Sequence, residues 1–162
     1  MHERTFDRVP ASCVWLAPLV ACHLCMPQSA TSSRLLVIDD NADVRKLVRM
    51  MLEDTDVEVV AEAANGAQGI ELAGSCNPDI IVLDVSMPIL DGFSALPEIR
   101  REAPRAWIVI WTASTVGDAG EAEALAAGAD RYLRKAGNDP LAIRRFILES
   151  SAAGPKPLPP TE

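Results

Sequence analysis

The stretch from Ile80 to Phe93 reads IIVLDVSMPILDGF and places one carboxylate, Asp84, directly after four apolar residues. Consecutive aliphatic residues are typical of a strand covered on both faces, as in a parallel sheet. Pro88 and the pair Asp91-Gly92 then indicate a loop and a turn. The stretch therefore predicts a buried strand that ends on a lone acid.

The same arrangement repeats between Arg34 and Ser150, where five short apolar runs are each followed by a segment of helical character. The runs are LLVI (35–38), VEVVAEA (57–63), DIIVL (79–83), WIVIW (107–111) and RYLR (131–134). Strands that alternate with helices predict an α/β fold with a parallel sheet.

Several helix ends are readable from capping residues. Asn41 is expected to cap the first helix and Asn65-Gly66 to open the second, while Asp139 before Pro140 is expected to start the last. Pro97 is expected within or just past the first turn of the third helix. The Ala- and Gly-rich residues 117–128 predict a weak fourth helix, either poorly packed or a mobile signalling element. One apolar stripe is expected on the first helix, at Val44, Leu47, Val48, Met51 and Leu52.

Composition predicts one domain at residues 34–150 between two tails. Residues 151–162, SAAGPKPLPPTE, are expected to be disordered. Residues 1–33 are interpreted as a disordered extension or a mis-assigned start, with a membrane or export role as the alternative. The apolar part of this extension is short for a membrane span, so a cytoplasmic location is expected.

The chain carries a formal charge of −8 and a pI of about 4.8. This acidity disfavours direct binding to nucleic acid phosphates, and the imbalance lies within residues 34–150. Cys22 and Cys25 form a C-x-x-C, but no second pair completes a set of zinc ligands. Unpaired, reduced thiols are expected.

Polar residues follow four of the predicted strands. Asp39 and Asp40 close the first, Asp84 the third and Thr112 the fourth, while Lys135 follows the fifth. In a parallel sheet these positions meet at the carboxyl edge, where such folds bind ligands. Three acids in one crevice repel one another, and their oxygens suit Mg²⁺. A carboxylate, a hard cation, the hydroxyl of Thr112 and the ammonium of Lys135 at one edge together suit the binding of a phosphoryl group.

Four groups of residues, in this order, resemble the receiver domain of two-component response regulators across residues 34–150. They are Asp39-Asp40, Asp84 with Met87-Pro88 and Asp91-Gly92 behind it, Thr112-Ala113, and Tyr132-x-x-Lys135. The resemblance implies a flavodoxin-like, doubly wound sheet of five parallel strands in the order 2-1-3-4-5, flanked by five helices.

The resemblance also implies a chemistry. Asp84 would accept a phosphoryl group from a phosphohistidine of a sensor histidine kinase or a histidine phosphotransfer protein. Asp40, Asp84 and the backbone carbonyl of Ser86 would hold Mg²⁺, with Asp39 acting through water. The metal and Lys135 would neutralise the phosphoryl oxygens.

The remaining residues of the pattern imply a switch. Thr112 would hydrogen-bond the phosphoryl group, the small Ala113 would leave the acceptor accessible, and Tyr132 would rotate inward. These contacts would change the face formed by the fourth helix, fifth strand and fifth helix, where a downstream protein or a second copy would bind. One departure is Ala136, which stands where the family usually has Pro.

Too few residues follow Ser150 for an output domain. The leading interpretation is therefore a stand-alone receiver acting as a relay, a phosphate sink or a partner-binding switch, and catalysing only its own phosphorylation and dephosphorylation. One alternative is a phosphorylation-independent scaffold of the same fold. The other is a phosphatase of the haloacid dehalogenase type, which would want an acid at Ser86.

Overall fold

The computed structural model describes residues 32–113, 118–136, 139 and 141–158. Strands and helices alternate along this part of the chain. The strands are β1 (Ser33–Ile38), β2 (Val57–Ala63), β3 (Ile80–Leu83), β4 (Trp107–Thr112) and β5 (Arg131–Arg134). The helices are α1 (Ala42–Met51), α2 (Gly66–Cys76), α3 (Gly92–Glu102), α4 (Asp118–Ala126) and α5 (Ala142–Ala153).

All five strands run parallel in one sheet with the order β2-β1-β3-β4-β5. The predicted fold class and strand order are confirmed. The register pairs Ile38 of β1 with Leu83 of β3, so the residues that follow these two strands lie side by side. Placement of Asp39 next to Asp84 is thus a direct result of strand pairing.

Apolar residues are buried on both faces of the sheet, as the unbroken runs in β1 and β3 predict. On one face, Leu36, Ile81 and Ile110 belong to a cluster with residues of α3, including Leu96 and Ile99. On the other face, a second cluster joins α1 to α5. Its members in the strands and in α5 include Val37, Val82, Trp111, Ile143 and Phe146. The central strands are therefore rigidly enclosed.

The predicted cap of α1 and the predicted start of α2 are confirmed, and the predicted start of α5 is wrong. The side chain of Asn41 accepts from the amide of Asp43, and that of Asn65 from the amide of Gln68. The last helix begins at Ala142, after Leu141, and its N-cap has no side-chain hydrogen bond. Pro97 lies on the exposed face of α3, just past the first turn, as expected.

The apolar stripe of α1 is narrower than predicted. Val48 and Leu52 are buried, but Leu47 is 44% exposed. The adjacent Met50 is 56% exposed. The helix therefore packs on the sheet through one narrow row of side chains.

The predicted C-terminal boundary at Ser150 is also wrong, because α5 continues to Ala153 and the segment after it is bound to the domain. The indole Nε1 of Trp107 donates to the carbonyl of Gly154 at 2.8 Å, and the amide of Lys156 donates to the carbonyl of Arg105 at 2.9 Å. The ammonium of Lys156 pairs with Asp130. Composition alone did not indicate these distant partners.

Other expectations fall on residues that the structure does not describe. Residues 1–31, which make up most of the predicted N-terminal extension, lie outside the described residues. Residues 159–162, at the end of the segment predicted to be disordered, also lie outside them. None of the helices in the described part has the length and apolar character needed to cross a bilayer. The fourth helix is present, with Ala124 buried and Leu125 45% exposed.

Asp91, the N-cap of α3, provides a test of local stability. Its Oδ1 accepts from the amide of Ser94 at 3.0 Å, and this bond lowers the pKa of the Asp91 carboxyl. We expect Asp91→Ala to lower the free energy of unfolding by about 1 kcal/mol. Because the pKa of Asp91 is lower in the folded protein, its carboxylate stabilises the fold at pH values above the pKa that Asp91 has in the unfolded chain, roughly 3.9. The advantage of wild type over Asp91→Asn should therefore shrink below about pH 4 in urea unfolding, and a constant difference would contradict the assignment.

Candidate functional site

Two carboxylates are buried side by side at the carboxyl edge of the sheet. Asp39 follows β1 and is 1% exposed, and Asp84 follows β3 and is 3% exposed. The amide of Asp84 donates to the carbonyl of Ile38 at 2.8 Å, which extends the pairing of β1 and β3 by one residue. Buried carboxylates require partners, since an isolated buried charge is strongly unfavourable.

Lys135 provides that partner for both acids. Its Nζ donates to Oδ2 of Asp39 at 2.6 Å and to Oδ1 of Asp84 at 2.7 Å. The backbone amide of Lys135 donates to the carbonyl of Thr112 at 2.8 Å, which fixes the lysine at the end of β4. One ammonium therefore joins the loops that follow β1, β3 and β5.

Backbone amides fix the other carboxylate oxygens. Oδ1 of Asp39 accepts from the amide of Asn41 at 2.9 Å, and Oδ2 of Asp84 accepts from the amide of Ser86 at 2.6 Å. Both oxygens of each acid thus have a donor, and the carboxylates are held in one orientation. Such preorganisation reduces the reorganisation that a reaction at these oxygens would need.

Burial and hydrogen bonding compete in this site. Burial raises the pKa of Asp39, although the hydrogen bonds from Lys135 and Asn41 oppose the rise. Burial alone would lower the pKa of Lys135, but its bonds to Asp39 and Asp84 outweigh it and the pKa lies above its ordinary value. The ammonium therefore stays charged at neutral pH, between two acids that together exceed its charge.

The donor atoms present fit a hard divalent cation. Within the described residues, no three His, Cys, Asp or Glu side chains are grouped so that they could hold a metal by themselves. Mg²⁺ usually needs only one or two carboxylates and retains several waters. Asp40 and Ser86 are exposed beside the two buried acids, and they offer a carboxylate and a backbone carbonyl. The surplus negative charge of Asp39 and Asp84 favours such an ion.

The other predicted residues lie around the same edge. Thr112 is fully buried at the end of β4, and Ala113 is exposed after it. Tyr132 is 7% exposed, and burial raises the pKa of its phenol. In the described part of the chain, no group accepts from or donates to this buried hydroxyl. An unpaired buried hydroxyl is costly, so this orientation of Tyr132 carries an energetic penalty.

Three further residues also shape the site. Nη1 of Arg45 donates to the carbonyl of Asp39 at 2.6 Å, while its Nε bonds Glu62 at 3.0 Å. Gly92 packs directly against the backbone of Asp84. The ring of Trp111 lies beneath the ammonium of Lys135, 5.5 Å from ring centroid to Nζ. The sequence indicated Gly92 through the Asp91-Gly92 turn, whereas it did not single out Arg45 or Trp111.

Comparison with known proteins gives one consistent match. The family model described as the response regulator receiver domain matches residues 35–145. A curated relative, a protein-glutamate methylesterase/protein-glutamine glutaminase of Geobacter metallireducens, is 37% identical over 125 residues. The alignment covers 76% of this chain and 35% of the relative, so this chain spans about a third of the length of the relative.

Solved structures agree. The response regulator domain of CheB from Thermotoga maritima is 30% identical with a TM-score of 0.62, covering 75% of this chain and 94% of that one. The receiver domain of the sensor histidine kinase PA1611 from Pseudomonas aeruginosa PAO1 is 28% identical with a TM-score of 0.63, covering 75% and 98%. That structure has a magnesium ion coordinated in its active site cleft.

Proposed function

Because this chain belongs to the response regulator receiver domain family, we propose that it accepts a phosphoryl group on Asp84 from a phosphohistidine. The observation that carries the proposal is the pair of buried acids, Asp39 and Asp84, held by the single ammonium of Lys135. A purely structural ion pair would need one acid for one base. The second acid leaves a charge that a cation and a phosphoryl group can use.

In the proposed reaction, a carboxylate oxygen of Asp84 forms a bond to phosphorus while the bond from phosphorus to the imidazole nitrogen breaks. The bonding electron pair stays on the imidazole. Lys135 neutralises a phosphoryl oxygen from its position between the acids. The amide of Ser86, which already donates to Asp84, keeps the carboxylate in its orientation.

Mg²⁺ is the cofactor that the site is proposed to use, held by Asp40, Asp84 and the backbone carbonyl of Ser86, with Asp39 acting through water. When bound, it supplies positive charge to the transferring phosphoryl oxygens. Its requirement for oxygen ligands is met by these residues. The magnesium in the related PA1611 domain supports this assignment.

The proposed switch uses residues on the next two strands. Thr112 would hydrogen-bond the phosphoryl group. The small side chain of Ala113 would leave Asp84 accessible to the donor. Tyr132 is already buried, with a hydroxyl that lacks a partner among the described residues. We propose that it would be held in this inward orientation once Thr112 is drawn to the phosphoryl group. The two arrangements would differ at the face formed by α4, β5 and α5.

We further propose a cytoplasmic relay, phosphate sink or partner-binding switch. A sensor histidine kinase or histidine phosphotransfer protein would supply the phosphoryl group. A downstream protein or a second copy would bind the face formed by α4, β5 and α5, with no direct contact to nucleic acid. The methylesterase is named for a relative of which the alignment covers only 35%. The chemistry proposed for this chain is therefore its own phosphorylation and dephosphorylation.

Intact mass after incubation with acetyl phosphate tests the proposal. We expect a gain of one phosphoryl group per chain with Mg²⁺ present and none with EDTA. No gain with any small donor or histidine kinase would favour the scaffold alternative. Release of phosphate from small phosphoesters over many turnovers would favour a phosphatase.

A further inference from the structure

The ring of Trp111 lies against the ammonium of Lys135, which bridges the two acids of the candidate site. Trp111 is the residue before Thr112 in β4, and it is 8% exposed. Its ring centroid lies 5.5 Å from Nζ of Lys135, within the range of a cation–π contact. Since the lysine side chain is itself only 19% exposed, water screens this contact weakly.

The ring is fixed by the core and not by the site. Trp111 belongs to the cluster that includes Ile143 and Phe146 of α5, on the face of the sheet that α1 and α5 cover. A ring held in this way offers a rigid support to a lysine, whose four-carbon side chain is otherwise flexible. Ala136 follows Lys135, so no proline ring restrains the backbone on that side.

We propose that Trp111 is a positioning residue for Lys135: its ring face holds the ammonium where it meets Asp39 and Asp84. This inference rests on the proposed phosphoryl acceptance at Asp84. The ammonium has three hydrogens, and Asp39 and Asp84 each accept one. The ring face attracts the cation more weakly than an anionic oxygen does, so the third hydrogen can turn to a phosphoryl oxygen when one is present.

The same strand contains a matched control. Trp107 lies at the opposite end of β4, and the ammonium of Lys156 is 5.8 Å from its ring centroid. This second contact has the same residue types and similar geometry, but it lies away from the carboxyl edge. Substitutions at Trp107 therefore report the effect of losing a tryptophan and its cation contact from β4 without affecting Lys135.

The test compares Trp111→Phe and Trp111→Leu with Trp107→Phe and Trp107→Leu in the full chain. Phosphorylation by acetyl phosphate is timed by intact mass at saturating Mg²⁺, and Mg²⁺ affinity is measured by calorimetry. We expect Trp111→Leu to react about tenfold more slowly and Trp111→Phe to keep most of the rate, because Phe retains a ring. Neither Trp107 variant should change the rate.

Mg²⁺ affinity separates positioning from damage to the site. A less firmly held ammonium neutralises Asp39 and Asp84 less, so the affinity of Trp111→Leu for Mg²⁺ should be unchanged or higher. A parallel fall in rate, Mg²⁺ affinity and thermal stability would show a structural role only. A wild-type rate in Trp111→Leu would overturn the inference as well.

An NMR measurement keeps the inference separate from the proposed function. The ring current of Trp111 should shift the methylene protons beside Nζ of Lys135 upfield, and Trp111→Leu should abolish that shift. Its absence in wild type that phosphorylates normally would overturn the inference alone. Failure of wild type to phosphorylate, with the shift present, would overturn the proposed function and the role of Trp111 in it.

Discussion

Asp84→Asn is expected to fold and to gain no phosphoryl group from acetyl phosphate and Mg²⁺. The amide lacks the anionic oxygen that would attack phosphorus. Both oxygens of Asp84 accept hydrogen bonds, from Lys135 and from the amide of Ser86, but Asn offers a single acceptor. The lost bond and the relieved repulsion with Asp39 oppose each other, so we expect the free energy of unfolding to change by less than about 1 kcal/mol.

The matched control lies at the other end of the same strand. Asp79, the residue before β3, accepts from the amide of Arg34 at 2.9 Å. Asp79→Asn makes the same chemical change away from the carboxyl edge, so the variant should still gain one phosphoryl group. Uptake by Asp84→Asn at the wild-type rate would place the acceptor on another residue, and loss of uptake in both variants would indicate a general defect.

The carboxyl edge could be predicted because strand ends are marked in the sequence. The apolar run before Asp84 requires a strand buried on both faces, and the same holds for the run before Asp39. Parallel pairing then brings both acids to one edge, where Lys135 joins them. Each step depends on local composition and on one general rule of sheet geometry.

The C-terminal segment could not be predicted in the same way. Its Pro-rich composition is typical of disorder, but Gly154 accepts from Trp107 and Lys156 pairs with Asp130. These partners lie many residues earlier, and nothing near Gly154 identifies them. The prediction that Asp139 starts α5 was wrong for a related reason. Asp139 accepts from the amide of Leu141 ahead of the helix, a turn that competes with capping.

Arg45 shows the same limit within the site. On α1 it looks like any exposed arginine, yet it holds the carbonyl of Asp39 and bonds Glu62. Only the pairing of β1 with β2 brings Glu62 close to the loop after β1, with Val37 opposite Glu62 in the register. Residues that act on the backbone of a site therefore leave no motif.

Gly92→Ala is expected to destabilise the protein strongly and to slow phosphorylation. A Cβ on Gly92 would lie 2.1 Å from the carbonyl oxygen of Asp84 and 3.0 Å from Cα of Val85. Both neighbours are backbone atoms, so no side chain can move aside. The loop that positions Asp84 must shift instead, and we expect a loss of about 3 kcal/mol in urea unfolding, with slower uptake of a phosphoryl group.

Gly74→Ala is the control, because helix propensity alone favours alanine over glycine in a helix by about 1 kcal/mol. The nearest atoms to a Cβ at Gly74 all belong to the side chain of Glu102, with its mobile end, Oε2, at 3.0 Å and Cβ and Cδ at 3.8 Å. That variant should be as stable as wild type or more so, with an unchanged rate of phosphorylation. If Gly92→Ala were equally stable, the close approach of α3 to the backbone of Asp84 would be wrong. If it were destabilised but phosphorylated normally, the loop would not set the geometry of the acceptor.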